Sequence, residues 1–115
     1  MSKYKSGLYI IHIMESIEWL EGIYAEGFEI FCGDRKTYDS TLKTLQNMAE
    51  STKYSPEYIK IENPHIPWIK IYDFRNILAH DYLGDIDKDA VWRIIQNRLP
   101  ELKKVILKYV DQIEI

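Results

Sequence analysis

The sequence predicts an all-α protein, an antiparallel four-helix up-and-down bundle with the last helix kinked near Pro100. Three observations lead there. Apolar residues recur at spacings of three and four along four separate stretches, the period of a helix with one buried face. No stretch alternates apolar and polar residues between turn signals as a strand would, and no repeat or low-complexity segment interrupts the pattern. The stretches are joined mostly by short links marked by Gly or Pro, which sets consecutive helices antiparallel. A length of 115 residues fits one domain, 1–115, and is too short for two.

The first helix is expected from Lys5 to about Glu26, with Ile10, Ile13, Ile17, Leu20 and Tyr24 on its buried stripe. Ile11, Met14 and Ile23 widen that face, so the helix should touch two neighbours, with Tyr9 and Trp19 on an edge facing a partner. His12 lies within the stripe and reads as a partly buried histidine rather than a ligand. Gly27 and Gly33 bracket Phe28 to Cys32, a corner or short helix whose role is packing. The second long helix is expected from Asp34 to Ser51, burying Tyr38, Leu42, Leu45, Ala49 and Thr52. Lys43 and Glu50 then share a flank, which by itself reads as a solvated charge pair.

Pro56, Pro64 and Pro67 interrupt the longest connection, because each removes a backbone donor and biases the residue before it away from helix. Pro67 suits the first turn of a third helix that turns Trp68, Ile71, Phe74, Ile77 and Leu78 to the core and stops between His80 and Gly84. Asp85 and Asp87 offer caps for the last helix. Its stripe is Val91, Ile95, Leu99, Leu102, Ile106, Tyr109 and Ile113, and the phase carries on through Pro100, which favours a kink.

Charge and composition narrow the function. Hydrophobic residues are 46% and charged residues 29% of the chain, ordinary for a globular protein. No apolar run approaches the roughly 20 residues of a membrane helix, and Glu15 and Glu18 break what a signal peptide would need, so a cytoplasmic protein is expected. The net charge of −3 speaks against a broadly basic nucleic-acid binder. Any RNA contact must come from a local site. Cys32 is the single cysteine, an inert thiol, and the three histidines lack metal-ligand spacing, so no metal is expected.

The densest chemistry lies in Asp73-Phe74-Arg75-Asn76-Ile77-Leu78-Ala79-His80-Asp81-Tyr82. A guanidinium grips two phosphate oxygens at once, and an imidazole moves protons near neutral pH. Those are the groups that RNA cleavage by its own 2′-hydroxyl requires. On a straight helix Asn76 and His80 share a face, whereas Arg75 and His80 diverge by roughly 140°. Either the helix breaks to bring His80 round, or a second copy completes the site across a two-fold axis. A plainer reading is also open: Arg, His and Tyr at a helix end serve as ordinary C-terminal caps and dipole partners.

Arg75, His80 and Tyr82 form an R-x4-H-x-Y pattern. With Pro67-Trp68 before it and Trp92 and Leu99-Pro100-Glu101-Leu102 after it, the pattern resembles the HEPN-domain ribonuclease toxins of the HepT kind. Asp34-Arg35, Asp39, Leu42-Lys43 and Ala49-Glu50 match that family's second helix more loosely, with Lys43 where Arg is usual and Ala49 where Gly is common. The resemblance implies a HEPN-like bundle and the toxin half of a type VII HepT/MntA toxin-antitoxin pair: a metal-independent RNA endonuclease working as a homodimer with both motifs facing one cleft. Arg75 and His80 are its implied catalytic residues, Asn76 and Glu50 supporting ones, the resemblance turning the Lys43–Glu50 flank toward the Arg75–His80 segment of the third helix. Tyr82 is the implied acceptor of AMP from an MntA-like minimal nucleotidyltransferase antitoxin. That partner would use ATP and Mg²⁺; the toxin itself would need no cofactor. The rival expectation is a catalytically silent HEPN module that binds a nucleotidyltransferase or a nucleic acid.

Overall fold

The computed structural model describes the backbone of residues 3–81 and 86–113, and the side chains of 7–80 and 86–113. All regular structure among the described residues is helical: α1 (Lys3–Glu26), α2 (Phe28–Gly33), α3 (Arg35–Tyr54), α4 (Glu57–Glu62), α5 (Trp68–Asp81), α6 (Lys88–Asn97) and α7 (Leu99–Val110). Four long rods make the bundle, the last built from α6 and α7. α1 is the central one, packed on α3 on one side and on α6 and α7 on the other, while α5 packs on the outer side of α3.

The core follows the predicted stripes. Ile13, Ile17 and Leu20 of α1, Leu45 of α3, and Val91, Val105 and Ile106 of the last rod are fully or nearly fully buried. Each such aliphatic side chain contributes about 1.5–3 kcal/mol on leaving water. Tyr24 departs from the expected stripe: it is partly exposed and stacks on Trp92, with ring centroids 5.0 Å apart. Trp92 also meets Phe28 and Phe31 at 5.5 and 5.3 Å. Helix α2 thus serves as an aromatic plug at one end of the bundle, centred on the fully buried Phe31. The turn into it needs Gly27, whose φ of 101° is strained for any residue with a Cβ. Cys32 is a half-buried free thiol.

Helix α3 begins where Asp34 accepts a hydrogen bond from the Thr37 backbone N–H at 3.1 Å, an N-cap of the usual kind. It runs one turn beyond the expected Ser51, to Tyr54. The connection that follows is not a plain loop, because α4 forms inside it. Glu57 starts α4 directly after Pro56, where a proline needs no donor. Asn63 then anchors the connection: its amide donates to Ile59 O and to the Tyr109 hydroxyl, both at 2.8 Å, and its carbonyl accepts from Trp68 Nε1 at 3.0 Å. The Tyr109 hydroxyl in turn donates a hydrogen bond to Glu62 Oε1 at 2.6 Å.

Asp87 caps α6, accepting from the backbone N–H groups of Asp89 and Ala90. Asp85, the other expected cap, lies outside the described residues. Near Pro100 the rod is interrupted rather than continuous. Arg98 alone separates α6 from α7, its backbone keeps helical angles of −98° and −34°, and its N–H still reaches Ile94 O at 2.8 Å. Pro100 sits in the first turn of α7, where its missing N–H costs one helical bond and no more. No helix among the described residues is long and apolar enough to cross a membrane.

Candidate active site

Arg75 comes from the middle of α5 and Glu50 from the last two turns of α3. The two helices run antiparallel, and Arg75 Nε lies 2.6 Å from Glu50 Oε2. Those two atoms are shut off from solvent and have no other partner among the described residues. They face each other without the alignment of a hydrogen bond, so the contact is an ion pair. Arg75 Nη1 donates to Asn76 Oδ1 at 3.0 Å. The two side chains are still 28% and 33% exposed, so the pair is not sealed from solvent as a whole. Of the two sequence readings of Glu50, the structure takes the one that turns it to the third helix; it makes no ion pair with Lys43 among the described residues.

His80 is exposed near the end of α5 and has no hydrogen-bond or ion-pair partner among the described residues. Helix α5 continues unbroken to Asp81, so the helix does not break to bring His80 round to Arg75. At about 100° per residue the two side chains stay on different faces, Arg75 toward the α3 seam and His80 toward solvent. Tyr82 and Gly84, with the expected helix stop, lie outside the described residues.

The solvent face of α5 carries more than His80. Ile77, expected in the core, is 49% exposed, and Ile69 is 79% exposed. Both flank the line of Asp73, Asn76 and His80, so the outer face is mixed apolar and polar. Leu78, Phe74 and Ile71 already fill the inner face, and a helix of this pitch cannot bury Ile77 along with them. A crevice of about 400 Å³ between α3, α5 and the α6–α7 junction is lined by Leu45, Met48, Phe74 and Leu102 among others and includes neither Arg75 nor His80. Its lining is mainly apolar but also takes in His65, Lys70 and the Arg98–Glu101 pair, 3.8 Å apart; the seam is taken as the candidate because it holds Arg75 and Asn76 of the chemically dense segment.

Three contacts beside the ion pair carry no signal in the sequence reading. Lys53 Nζ donates to the Tyr72 hydroxyl at 3.2 Å and lies over the rings of Tyr72 and Tyr54, 4.7 and 5.3 Å from their centroids. Tyr54 in turn stacks on Tyr9 of α1, with centroids 5.6 Å apart. His12 is exposed rather than partly buried, yet its Nδ1 lies 2.7 Å from the Ser51 hydroxyl and so pins α1 to α3. The position of Lys53 three residues after Glu50, and of Tyr72 three before Arg75, was the available hint: in an antiparallel pair those residues must meet one turn further along.

A family model described as "Ribonuclease HepT-like" matches residues 12–109. The chain belongs to the HepT-like ribonuclease family. Among its relatives, "Probable ribonuclease HepT" of Thermococcus cleftensis is 33% identical over 96 residues, covering 83% of this chain and 86% of that protein. "Gamma-glutamylcyclotransferase and putative RNase" of Methanocaldococcus jannaschii is 29% identical over 108 residues; the match takes in 93% of this chain but spans only 48% of that longer protein. A second M. jannaschii protein, "Putative RNase", is 27% identical across 92% of this chain and 97% of its own length. No solved structure matches the chain. The HepT-like match spans α1 from His12, the whole α3–α5 seam, and the last rod as far as Tyr109.

Proposed function

We propose that this HepT-like protein is a metal-independent endoribonuclease that works as a homodimer, and that Arg75 and His80 carry the chemistry. The observation that carries the reading is the pair of opposite states on one helix: an arginine anchored from behind by Glu50 and a histidine exposed at the surface. Anchoring through Nε fixes the guanidinium plane and leaves its outer edge for phosphate oxygens. In the reaction the 2′-oxygen attacks phosphorus and the bond to the 5′-oxygen breaks, giving a 2′,3′-cyclic phosphate and a 5′-hydroxyl. His80 takes the 2′ proton or supplies one to the leaving oxygen. Arg75 holds the charge of the phosphorane, with Asn76 keeping its side chain in line.

Two copies meeting on the outer face of α5 would bury Ile69 and Ile77 against their images and bring two His80 imidazoles to one cleft. One then serves as base while the other serves as acid. The same cleft gives a place for control. We read the protein as the toxin of a HepT/MntA pair, with Tyr82, two residues past His80, as acceptor of AMP from a nucleotidyltransferase partner. A bulky anion there would repel RNA by charge and volume.

The test is cleavage of a single-stranded RNA by purified protein in excess chelator, with product ends identified by mass. Cyclic phosphate ends from wild type and none from His80→Ala are expected. Intact RNA with both proteins would favour the rival reading of a silent binding module. Sedimentation addresses the composite cleft: a monomer at micromolar concentration removes it. Incubation with an MntA-type enzyme, ATP and Mg²⁺ should add AMP mass to the Tyr82 peptide, and Tyr82→Phe should block it.

A further inference from the structure

The seam between α3 and α5 holds a second cation one helical turn from the Glu50–Arg75 pair. Lys53 follows Glu50 by three residues and Tyr72 precedes Arg75 by three, so their contact lies about 4.5 Å further along the axis on the same side of the bundle. The two cations differ in a way that matters for an anion. Arg75 faces a carboxylate at 2.6 Å, so much of its field is cancelled. Lys53 has no carboxylate within ion-pair distance among the described residues, its ammonium is exposed, and only neutral groups hold it: the Tyr72 hydroxyl and the rings of Tyr72 and Tyr54.

Resting on the endoribonuclease reading above, we propose that Lys53, oriented by Tyr72 and Tyr54, is a phosphate-binding subsite for the nucleotide beside the scissile one. A protein of net charge −3 gains little from diffuse attraction to RNA, so its affinity must come from a few placed cations. Clamping between two rings reduces the side-chain freedom that a free lysine would lose on meeting phosphate. The hydrogen bond donated to Tyr72 is the main cause that raises the Lys53 pKa above the ordinary lysine value, which keeps the ammonium charged throughout the working range. Lys53 also sits in the last turn of α3, where a cation complements the helix dipole. That role contributes to stability alone and predicts no effect on how RNA binding responds to salt.

The experiment measures binding of a short single-stranded oligoribonucleotide of mixed sequence as salt is varied, in the uncleaving His80→Ala background. Adding Lys53→Met, which keeps the aliphatic stem, should weaken binding several-fold at low salt and make the slope of log K against log salt shallower by about 0.7, the loss of one phosphate contact to a single strand. Lys53→Arg should keep the slope, and Lys104→Met on α7, removing an equal charge elsewhere, should leave it as it was. In cleavage assays on the otherwise wild-type chain, Lys53→Met should raise KM while kcat changes less than about twofold, since the contact is present in ground and transition states alike. Tyr72→Phe, which frees the ammonium without removing it, should fall between. An unchanged slope for Lys53→Met overturns the subsite and leaves the nuclease standing. A slope that depends on Lys53 in a protein that never cleaves RNA overturns the nuclease and leaves the subsite.

Discussion

Two ion pairs join helices that are far apart in sequence, and they behave as different kinds of contact. Lys103 of α7 reaches both oxygens of Glu21 on α1, at 2.8 and 3.0 Å, with side chains 33% and 48% exposed. Arg75 of α5 meets Glu50 of α3 at 2.6 Å through two atoms that water cannot reach. The first decorates a seam already closed by Leu102, Val105 and Ile106 against α1. The second sits beside Lys53 and the tyrosines, on a seam where several polar groups face one another. On the proposed reading the α3–α5 side carries the chemistry, whereas the α1–α7 side is closed mainly by apolar packing. A paired, half-shielded arginine is held still, at a cost in desolvation that an exposed pair does not carry.

That contrast is easiest to break at Arg75. Arg75→Ala should lower kcat by about 10²–10³-fold, as removal of one oxyanion donor does elsewhere, with little change in the circular dichroism of the bundle. Arg75→Lys should not rescue it, because a point charge lacks the fork. Near wild-type turnover for either protein would move the charge stabilisation to another residue.

Glu50→Gln sharpens the comparison by keeping the shape and removing the anchor's charge. Turnover should fall roughly tenfold, about 1.4 kcal/mol of misplacement, and the guanidinium, relieved of its counter-charge, should bind inorganic phosphate more tightly. Phosphate inhibition constants read this directly; weaker phosphate binding would mean that Glu50 does more than orient Arg75.

On the other side of the molecule, Tyr109→Phe should cost about 1 kcal/mol by orphaning the Asn63 amide and Glu62, with no effect on turnover per folded molecule. Burial, with the hydrogen bond to Glu62 second, raises the Tyr109 pKa above its ordinary value of 10.0. The folded value therefore exceeds the unfolded one. The stabilisation is complete below about pH 10 and is lost as pH rises through the folded value. Denaturant midpoints of wild type should show that alkaline decline, and those of Tyr109→Phe should lack its share of it.

The smallest effect belongs to the exposed pair. Glu21→Gln should change stability by less than about 0.5 kcal/mol, and less again at high salt. A larger loss, measured by urea denaturation, would show that the two ion pairs are of one kind after all.

The long helices were legible in the chain alone, because apolar period, Gly27, the cap at Asp87 and the prolines are all local signals that act within a turn or two of the chain. The sequence also determined the family, through residues that lie on α3, α5 and the last rod. It carried Arg75, Asn76 and His80 as chemistry on one helix, and Glu50 as one of two readings. Only the tertiary structure decided between them. Whether Glu50 meets solvent or Arg75, whether Ile77 is buried, and whether Lys53 finds Tyr72 depend on the rotation of α3 against α5, which no local pattern encodes. Helix α4 was hidden for the same reason: six residues between prolines form a helix there because Asn63, Tyr109 and Trp68 hold the connection down. Periodicity reports which face of a helix avoids water, whereas a site is made where two faces meet, and that depends on contacts between residues distant in the chain.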